Sequence, residues 1–472
     1  MPILSHIQPQ KIKIMKRLLF VGVLLCTSLS SFSQRFEYQP LNYNQLGLLF
    51  SQDDNYGTAR FEAMSGAFGA LGGDISAFGI NPAGSAVAIA SSASVTLSNK
   101  NTDYASLYYG SSSNSVNDSF NLSQAGAILT FDTNSEDWDR VAFTANYRIK
   151  SDFSSFYRVI GNSQYLYNVE HLDDPNTPKT QFDRSLEQNF SAEKRGRSSV
   201  MNFGFSAVHQ SKLFIGGSLN FHDIDLNRIS RLTENNDDVN GNVLIAKNLI
   251  DTRIQGNGFS LSLGFIYKFN QNLRLGLAYE TPTWYNEITE DYYEDLVHNE
   301  ISDLGFLRTG IIPIEEGAIY RFRTNSRITA SGAYIFGKQG LISFDYTYRD
   351  YPNLKYRENN SDFINANQGF ATDYRATHSF NLGTEWRFDR LSLRGGYHYS
   401  KNPNLLATFG GGTNEDNIKG FSTGLGYNFG NIKIDLSYSK FENKEFESIY
   451  NPGDIILNND TSRISGTLTI NL

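Results

Sequence analysis

The sequence contains no long hydrophobic run after its N-terminus, and it has only one cysteine among 472 residues. A membrane-spanning helix needs about 20 consecutive apolar residues, so no such helix is predicted. This absence does not exclude a β-barrel, whose strands are short and alternate apolar with polar residues. The cysteine, Cys26, lies in an N-terminal segment that we expect to be removed. Disulfides, thiolate metal sites and cysteine nucleophiles are therefore excluded from the mature chain.

The N-terminus has the order of a secretory signal peptide. The basic start at 15–17 (MKR) precedes an apolar run at 18–25 and a small-residue end at 31–33. We place the start of translation at Met15 and cleavage before Gln34, so that residues 1–33 are removed. Their loss lowers Lys+Arg from 41 to 37 against 49 acids, and the net charge moves from −8 to −12. Nucleic acid is a poor partner for so acidic a chain.

From about residue 91 onward, apolar residues occupy every second position between short stretches of Gly, Asn and Asp. A period of two predicts half-buried strands with one polar face. Fourteen such segments lie near 91–109, 120–132, 138–150, 198–209, 213–230, 253–269, 273–281, 319–336, 341–349, 373–388, 391–400, 418–429, 432–440 and 461–472.

The links between these segments alternate in length. They are short after the even strands and longer, about 10 to 47 residues, after the odd ones. Short periplasmic turns, long extracellular loops and an even strand number are typical of bacterial outer-membrane barrels. The 27 Tyr and 34 Phe would supply the two aromatic girdles. We therefore predict an all-β fold over residues 91–472, a 14-stranded antiparallel transmembrane β-barrel in a Gram-negative outer membrane.

Residues 34–90 lack the strand pattern. Within them, 58–74 (TARFEAMSGAFGALGGD) predicts a short helix capped by Thr58 and then a glycine-rich turn. This segment precedes the first strand and could fold up into a lumen that would otherwise leak. We expect residues 34–90 to form a small helical and irregular hatch inside the lumen. A disordered periplasmic leader is the alternative, which the apolar and glycine-rich composition disfavours.

One motif in this segment resembles a known family. Asn81-Pro82-Ala83-Gly84 follows GTAR at 57–60 and GAFGALGGD at 66–74. With 273–282, 379–387 and 421–439, these stretches resemble the FadL/TodX family of outer-membrane transporters of hydrophobic compounds. The resemblance implies a 14-stranded barrel closed by an N-terminal hatch, ligand capture on apolar extracellular loops and hatch-gated lateral release. It implies long-chain fatty acids or aromatic hydrocarbons as cargo, and it carries Asn81, Pro82, Ala83 and Gly84 over as hatch and gating residues.

Two sets of residues are candidates for ligand binding. Five arginines fall on the predicted lumen-facing side near the extracellular strand ends and could pair with a ligand carboxylate. The simpler interpretation, which we favour, is an ion network with Glu280, Asp345 and Asp373 that braces the barrel. These arginines are Arg148, Arg321, Arg323, Arg349 and Arg375. The second set makes the predicted loop after strand 7 unusually apolar, either as a capture groove or as packing on the rim. It comprises Trp284, Tyr285, Phe306, Leu307, Ile311 and Ile312.

The sequence shows no catalytic arrangement of Ser, His and carboxylate residues, and we predict no enzyme activity, cofactor or metal centre. Acidic stretches such as 235–238 and Asp54 could bind Ca²⁺ weakly, although solvated acids are the simpler interpretation. We predict passive transport of hydrophobic molecules, with the bilayer and a small hydrophobic ligand as partners. The alternative is a FadL-like barrel subunit of a protein secretion or surface-attachment complex, whose long loops would bind protein partners. An open porin is disfavoured by the predicted hatch.

Overall fold

The computed structural model describes residues 42–164, 167–169, 180–182, 184–237, 243–302, 305–310, 314–405, 417–447, 449 and 455–472. The predicted signal peptide and residues 34–41 of the predicted hatch lie outside the described residues.

The first half of the barrel contains β1 (Ser92–Tyr108), β2 (Ser111–Asp132), β3 (Trp138–Asp152), β4 (Ser155–Gly161), β5 (Tyr167–Val169), β6 (Thr180–Phe182), β7 (Arg184–His209), β8 (Leu213–Asp237), β9 (Val243–Lys268), β10 (Leu273–Glu280) and β11 (Trp284–Ser302). The second half contains β12 (Gly305–Gly310), β13 (Ile314–Arg323), β14 (Arg327–Phe336), β15 (Gly340–Arg349), β16 (Lys355–Tyr356), β17 (Thr377–Phe388), β18 (Leu391–Ser400), β19 (Ile418–Asn428), β20 (Ile432–Glu447) and β21 (Ile455–Asn471).

These strands close into a barrel of fourteen positions, as predicted. Antiparallel pairing runs from β1 through β2, β3, β7, β8 and β9, and β21 pairs back with β1. Position seven consists of β10 followed by β11, and position eight of β13 followed by β14. Positions nine to fourteen are β15, β17, β18, β19, β20 and β21, each paired with the next.

Several strands are much longer than a membrane crossing requires. β7, β8 and β9 contain 26, 25 and 26 residues, whereas about 10 residues span the bilayer. Exposed apolar side chains such as Phe205, Leu219 and Leu263 lie near the ends joined by short turns. By the rule that such turns are periplasmic, the other ends project beyond the membrane on the extracellular side.

This projection corrects the predicted loops. The first extracellular link is a two-residue turn, Tyr109-Gly110, with positive φ angles of 42° and 82°, and not a loop of about ten residues. Much of the predicted loop 151–197 is strand, because β4 pairs with the upper part of β7. The predicted strand 373–388 begins only at Thr377.

Two neighbouring strands are interrupted at the same height. Residues 281–283 separate β10 from β11, and residues 324–326 separate β13 from β14. The amide of Thr283 donates to Thr324 Oγ1 at 2.8 Å, and the amide of Thr324 donates to the carbonyl oxygen of Thr283 at 3.0 Å. We call this feature the paired break.

The paired break reverses which face of the strand points inward. In β14 the buried, inward residues are odd-numbered, such as Arg327 and Thr329, whereas in β13 they are Tyr320 and Phe322. A shift of one position moves every side chain to the other face of a sheet. The predicted alternation, which assumed one continuous strand over 319–336, is therefore wrong for residues 319–323, on the extracellular side of the paired break.

Helices fill the lumen and its extracellular end. They are α1 (Tyr43–Phe50), α2 (Ala59–Ala63), α3 (Ser361–Asp373) and the short 3₁₀ helices η1 (Ile75–Gly79), η2 (Pro82–Val87) and η3 (Tyr351–Asn353). As predicted, Thr58 caps the helix that follows it, because its side chain accepts a hydrogen bond from the amide of Phe61. Among the described residues, no helix is both long and apolar enough to cross a membrane.

Candidate functional site

The hatch segment, defined here as residues 42–90, meets the barrel wall at a belt of inward-facing glycines. At eight of them an added Cβ atom would lie less than 3.0 Å from an atom of the hatch segment. Only glycine leaves room for so close an approach. We call these residues the glycine belt: Gly126, Gly204, Gly216, Gly264, Gly276, Gly383, Gly396 and Gly424. The hatch segment cannot shift toward the wall at these points.

The Asn-Pro-Ala-Gly motif lies where the hatch segment touches β8 and β9. The side chain of Asn81 caps η2 by accepting from the amide of Ala83, and its Nδ2 donates to the carbonyl oxygens of Gly69 at 2.8 Å and Phe265 at 3.1 Å. Pro82 lies against Gly216 of the glycine belt. The motif therefore connects the glycine-rich turn of the hatch segment to the backbone of β9. Its role in gating stays a prediction.

Charged groups also bind the hatch segment to the wall. Arg60 Nε lies 2.7 Å from Glu385 Oε2 of β17, and Glu62 Oε2 lies 3.2 Å from Arg463 Nε of β21. Asp54 of the hatch segment is exposed and accepts from the hydroxyl of Ser151 at 2.9 Å. Its interpretation as a solvated acid stays a prediction.

Three arginines of the wall converge on one carboxylate of the hatch segment. Asp53 forms two hydrogen bonds of 2.8 Å with Arg148, and it lies 3.6 Å from Arg349 and 3.7 Å from Arg327. Arg327 also pairs with Glu280 at 2.6 Å. Arg148 and Arg349 thus face the lumen as predicted, in an ion network. Asp53 and Arg327 were missed, because nothing in the local sequence indicates a partner this far along the chain.

Arg321 and Arg323 do not face the lumen, so their predicted orientation is wrong. They lie in β13, on the extracellular side of the paired break, where Tyr320 and Phe322 occupy the inward positions. Arg321 Nε binds Glu358 Oε1 at 2.9 Å on the outside of the barrel. Burial alone would raise the pKa of Glu358, but the backbone amide and guanidinium of Arg321 lower it below its usual range.

Neither Arg375 nor Asp373 belongs to a strand of the barrel wall. Arg375 follows α3, and its Nε donates to the carbonyl oxygen of Asn402 at 2.8 Å, so it braces two extracellular links. Asp373 ends α3 and does not belong to a lumen network. Asp345 does face the lumen, but it accepts hydrogen bonds from the amides of Phe68 and Gly69 in the hatch segment.

An aromatic chamber occupies the extracellular end of the lumen. α1 of the hatch segment and α3 of an extracellular link lie side by side against the inner faces of β11 and β13. The ring of Tyr43 is 4.5 Å from Phe363, 5.5 Å from Tyr356 and 5.7 Å from Tyr320 between centroids. The aromatic chamber comprises Tyr43, Phe50, Tyr285, Tyr320, Phe322, Tyr356, Phe363 and Phe370.

This chamber was only partly predicted. Trp284 and Tyr285 belong to β11, which continues the barrel wall, and not to a loop. Tyr285 is buried inside the chamber, whereas Trp284 packs against Phe259 at 5.2 Å. Phe306 and Leu307 belong to β12, and their side chains lie outside the described part of the chain, as do residues 311–312. The helix spacing of Phe363 and Phe370 was the signal that could have revealed α3.

Below the chamber the lumen is polar. A cavity of about 260 Å³ lies between Leu49 of α1 and Ile80 of the hatch segment. Charged and polar side chains dominate its lining, among them Lys100, Asp152, Arg349, His398 and Arg463. This part of the lumen is therefore a polar compartment and does not continue the apolar chamber. No group of three or more potential metal-binding side chains occurs within the described ranges.

Comparison with solved structures supports this architecture. A FadL homologue of Pseudomonas aeruginosa is 14% identical with a TM-score of 0.58, and the match covers 89% of this chain and 99% of that chain. The toluene transporter TodX of Pseudomonas putida is 15% identical (TM-score 0.53, 89% and 100% covered). The monoaromatic hydrocarbon channel CymD is 14% identical (TM-score 0.52, 89% and 98% covered). At sequence identities this low, the structural likeness establishes the fold alone.

Sequence comparison establishes the family. No curated protein sequence matches the chain. A family model described as outer membrane protein transport protein (OMPP1/FadL/TodX) matches residues 184–466, more than half of the chain. The match runs from β7 through most of β21, so it covers the greater part of the barrel. The protein is thus a transport protein and not an enzyme, and its chain belongs to the OMPP1/FadL/TodX family of outer-membrane transport proteins.

Proposed function

We propose that this protein carries hydrophobic molecules, such as long-chain fatty acids or aromatic hydrocarbons, passively across the outer membrane. The aromatic chamber is the observation that supports this function most directly. It places a packed cluster of aromatic and aliphatic side chains inside the barrel at the extracellular end. Similar structures include a toluene transporter and a monoaromatic hydrocarbon channel, which agrees with cargo of this class.

Capture would take place in the chamber. Leu46 and Phe50 of α1 fill it now, and Gly47 packs so closely on Phe370 that an added Cβ atom would lie 2.5 Å from that ring. A ligand must therefore replace α1 side chains among the rings. Moving an apolar tail out of water contributes about 0.8 kcal/mol per methylene, which offsets the cost of moving the helix.

Release would be lateral. An apolar molecule that moved downward would leave the chamber for a cavity lined with charged groups, and it would lose its burial free energy there. The glycine belt and the ion pairs of the hatch segment also close the periplasmic half of the lumen. Exit through the wall into the membrane avoids both barriers.

The hatch segment would gate this exit. Asn81 joins the segment to β9, and Pro82, Ala83 and Gly84 are buried in the same contact with the wall. Asp53 lies a few residues beyond α1, so displacement of α1 would pull on the carboxylate that holds Arg148. Ligand binding in the chamber is thereby connected to the hatch segment by a short stretch of chain.

Uptake by cells tests the proposal. Cells that produce the protein should take up radiolabelled hexadecanoate or toluene faster than cells without it. Phe322→Ala enlarges the chamber and removes ring contacts, so it should lower uptake of both compounds. Phe429→Ala is the matched control, because Phe429 is exposed near a periplasmic turn. Equal uptake with and without the protein for every compound would contradict the function.

A further inference from the structure

One acidic residue of β11 lies on the inner face of the wall beside the aromatic chamber. Glu290 pairs with Ile254 of β9 and with Ala318 of β13, and both neighbours are apolar. Ile288, two positions earlier on the same face, is buried. One oxygen of Glu290, Oε2, is also buried. A carboxylate therefore projects into apolar surroundings, where a charge is costly unless it is paired.

Two tyrosine hydroxyls stabilise Glu290, but no cation does. Burial raises the pKa of Glu290 above its usual range, and the hydroxyls of Tyr43 and Tyr320 offset this rise only in part. Among the described residues, no basic side chain acts on Glu290. Glu316 and Asp362 add negative charge around the hydroxyl of Tyr43. This part of the chamber therefore attracts cations and repels anions.

The basic residues of the adjacent strands face the other way. In β13 and β16, which pair with each other, the inward positions are those of Tyr320, Phe322 and Tyr356. The outward positions between them are occupied by Arg321, Arg323 and Lys355. Successive side chains of a strand point to opposite faces. The alternation thus places rings beside Glu290 and keeps these cations away from it.

The ring of Tyr43 packs on three other rings, which come from β13, β16 and α3. Its centroid lies 5.7 Å from that of Tyr320, 5.5 Å from that of Tyr356 and 4.5 Å from that of Phe363. These three rings also lie 4.9 to 5.6 Å from one another. We call the three rings and the carboxylate of Glu290 the acidic cage. Tyr43, the first residue of α1, occupies this cage in the structure.

We infer that the acidic cage binds the ammonium head group of a long-chain organic cation, which takes the place of Tyr43 when α1 moves. The faces of aromatic rings attract cations, and cages of such rings bind quaternary ammonium groups. The ammonium group supplies the positive charge that Glu290 lacks, and the apolar tail lies among the other rings of the aromatic chamber. The inference rests on the proposed function and adds amphipathic cations to the hydrophobic molecules that the protein carries.

The test compares two ligands of the same shape that differ in charge. They are dodecyltrimethylammonium, below the concentration at which it forms micelles, and the hydrocarbon in which a carbon atom replaces its nitrogen. Binding to the purified full-length protein in nanodiscs of zwitterionic lipid is measured at pH 8, and binding to protein-free nanodiscs is subtracted. The wild type should bind the cation at least about tenfold more tightly, as expected for a desolvated cation–π contact.

Three variants locate the preference in the acidic cage. Glu290→Gln keeps the size of the side chain but removes its charge, so it should bring the ratio of the two affinities close to one. Phe363→Leu removes one ring and should lower the ratio in part. Tyr43→Ala removes the present occupant, so it should raise the affinity for the cation. Glu287→Gln is the matched control, because Glu287 lies on the same strand and is exposed, and it should keep the ratio of the wild type.

Persistence of the preference in Glu290→Gln, in protein that still shows the heat-modifiable migration of a folded barrel, would overturn the site. Loss of the preference in Glu287→Gln as well would overturn it too, because the cation would then be attracted by surface charge in general. Equal affinity of the wild type for the two ligands would refute the acidic cage and leave the proposed function standing. Binding of neither ligand would contradict the proposed function itself.

Discussion

Gly396 offers the sharpest perturbation of the contact between the hatch segment and the wall. A Cβ atom at this position of β18 would lie 2.6 Å from the backbone carbonyl carbon of Met64 and from the amide nitrogen of Ser65. Backbone atoms cannot rotate away as a flexible side chain could. Gly396→Ala should therefore push the hatch segment away from β18 rather than distort a rotamer.

The magnitude follows from the overlap. Inserting one carbon into a well-packed interior costs about 1–3 kcal/mol, which changes an equilibrium by about 5- to 150-fold. The barrel is held by its own ladder of backbone hydrogen bonds, so the cost should appear in the position of the hatch segment. We expect purified Gly396→Ala to open in planar lipid bilayers more often than the wild type by a factor in this range.

Gly395→Ala is the matched control on the same strand. Its added Cβ atom would meet its nearest neighbours, Ser422 and Thr384, at an ordinary 3.9 Å. This variant should show the opening frequency of the wild type. Identical conductance records for the two variants would refute the reasoning that the glycine belt holds the hatch segment closed.

Three further predictions follow from the site. Asp53→Asn leaves three lumen-facing arginines, two of them buried, without their shared carboxylate. It should destabilise the protein by about 3–5 kcal/mol, measured by denaturant unfolding, whereas Asp389→Asn in an exposed turn should have no such effect. Arg321→Gln should leave the affinity for hexadecanoate unchanged in a binding assay, because Arg321 faces outward; a marked loss would restore it as a ligand residue. Protease added to intact cells should cut in the link 162–183 and spare the turn 429–431, and cleavage at that turn in sealed cells would invert the proposed orientation.

The fourteen strands could be predicted from the sequence because each needs only local information. In β20, for example, Ile434, Leu436 and Tyr438 face outward with polar residues between them. A strand between lipid and a polar lumen must alternate in this way. The short turns could also be predicted from adjacent residues. The helix cap at Thr58 could be predicted from its residue type and its position before the helix.

The orientation of Arg321 and Arg323 could not be predicted in this way. Alternation determines a face only while the strand is continuous, and residues 324–326 interrupt it. The interruption exists because it pairs with 281–283 on the neighbouring strand. Because the break depends on two segments that are distant in sequence, the apolar–polar alternation of neither segment reveals it.

The ion-pair partners inside the lumen could likewise not be predicted from local sequence patterns. Asp53 binds arginines about 95 to 300 positions away along the chain. The inward arginines on continuous strands, such as Arg148, were identifiable, but their ligand was not. Each glycine of the belt has an inward position that alternation predicts, whereas the hatch contact that requires glycine there comes only from the closed fold.

We propose that hydrophobic molecules cross the outer membrane through this barrel when the hatch segment moves. The hydroxyls of Ser65 in the hatch segment and Ser422 in β19 are 2.8 Å apart, close enough for a disulfide between cysteines at these positions. The most direct test is uptake of radiolabelled hexadecanoate by cells producing Ser65→Cys/Ser422→Cys, with Ser65→Cys alone as the control. Uptake should fall to the level of cells without the protein when the pair is oxidised and recover when it is reduced. Equal uptake by the oxidised and reduced forms would contradict the claim.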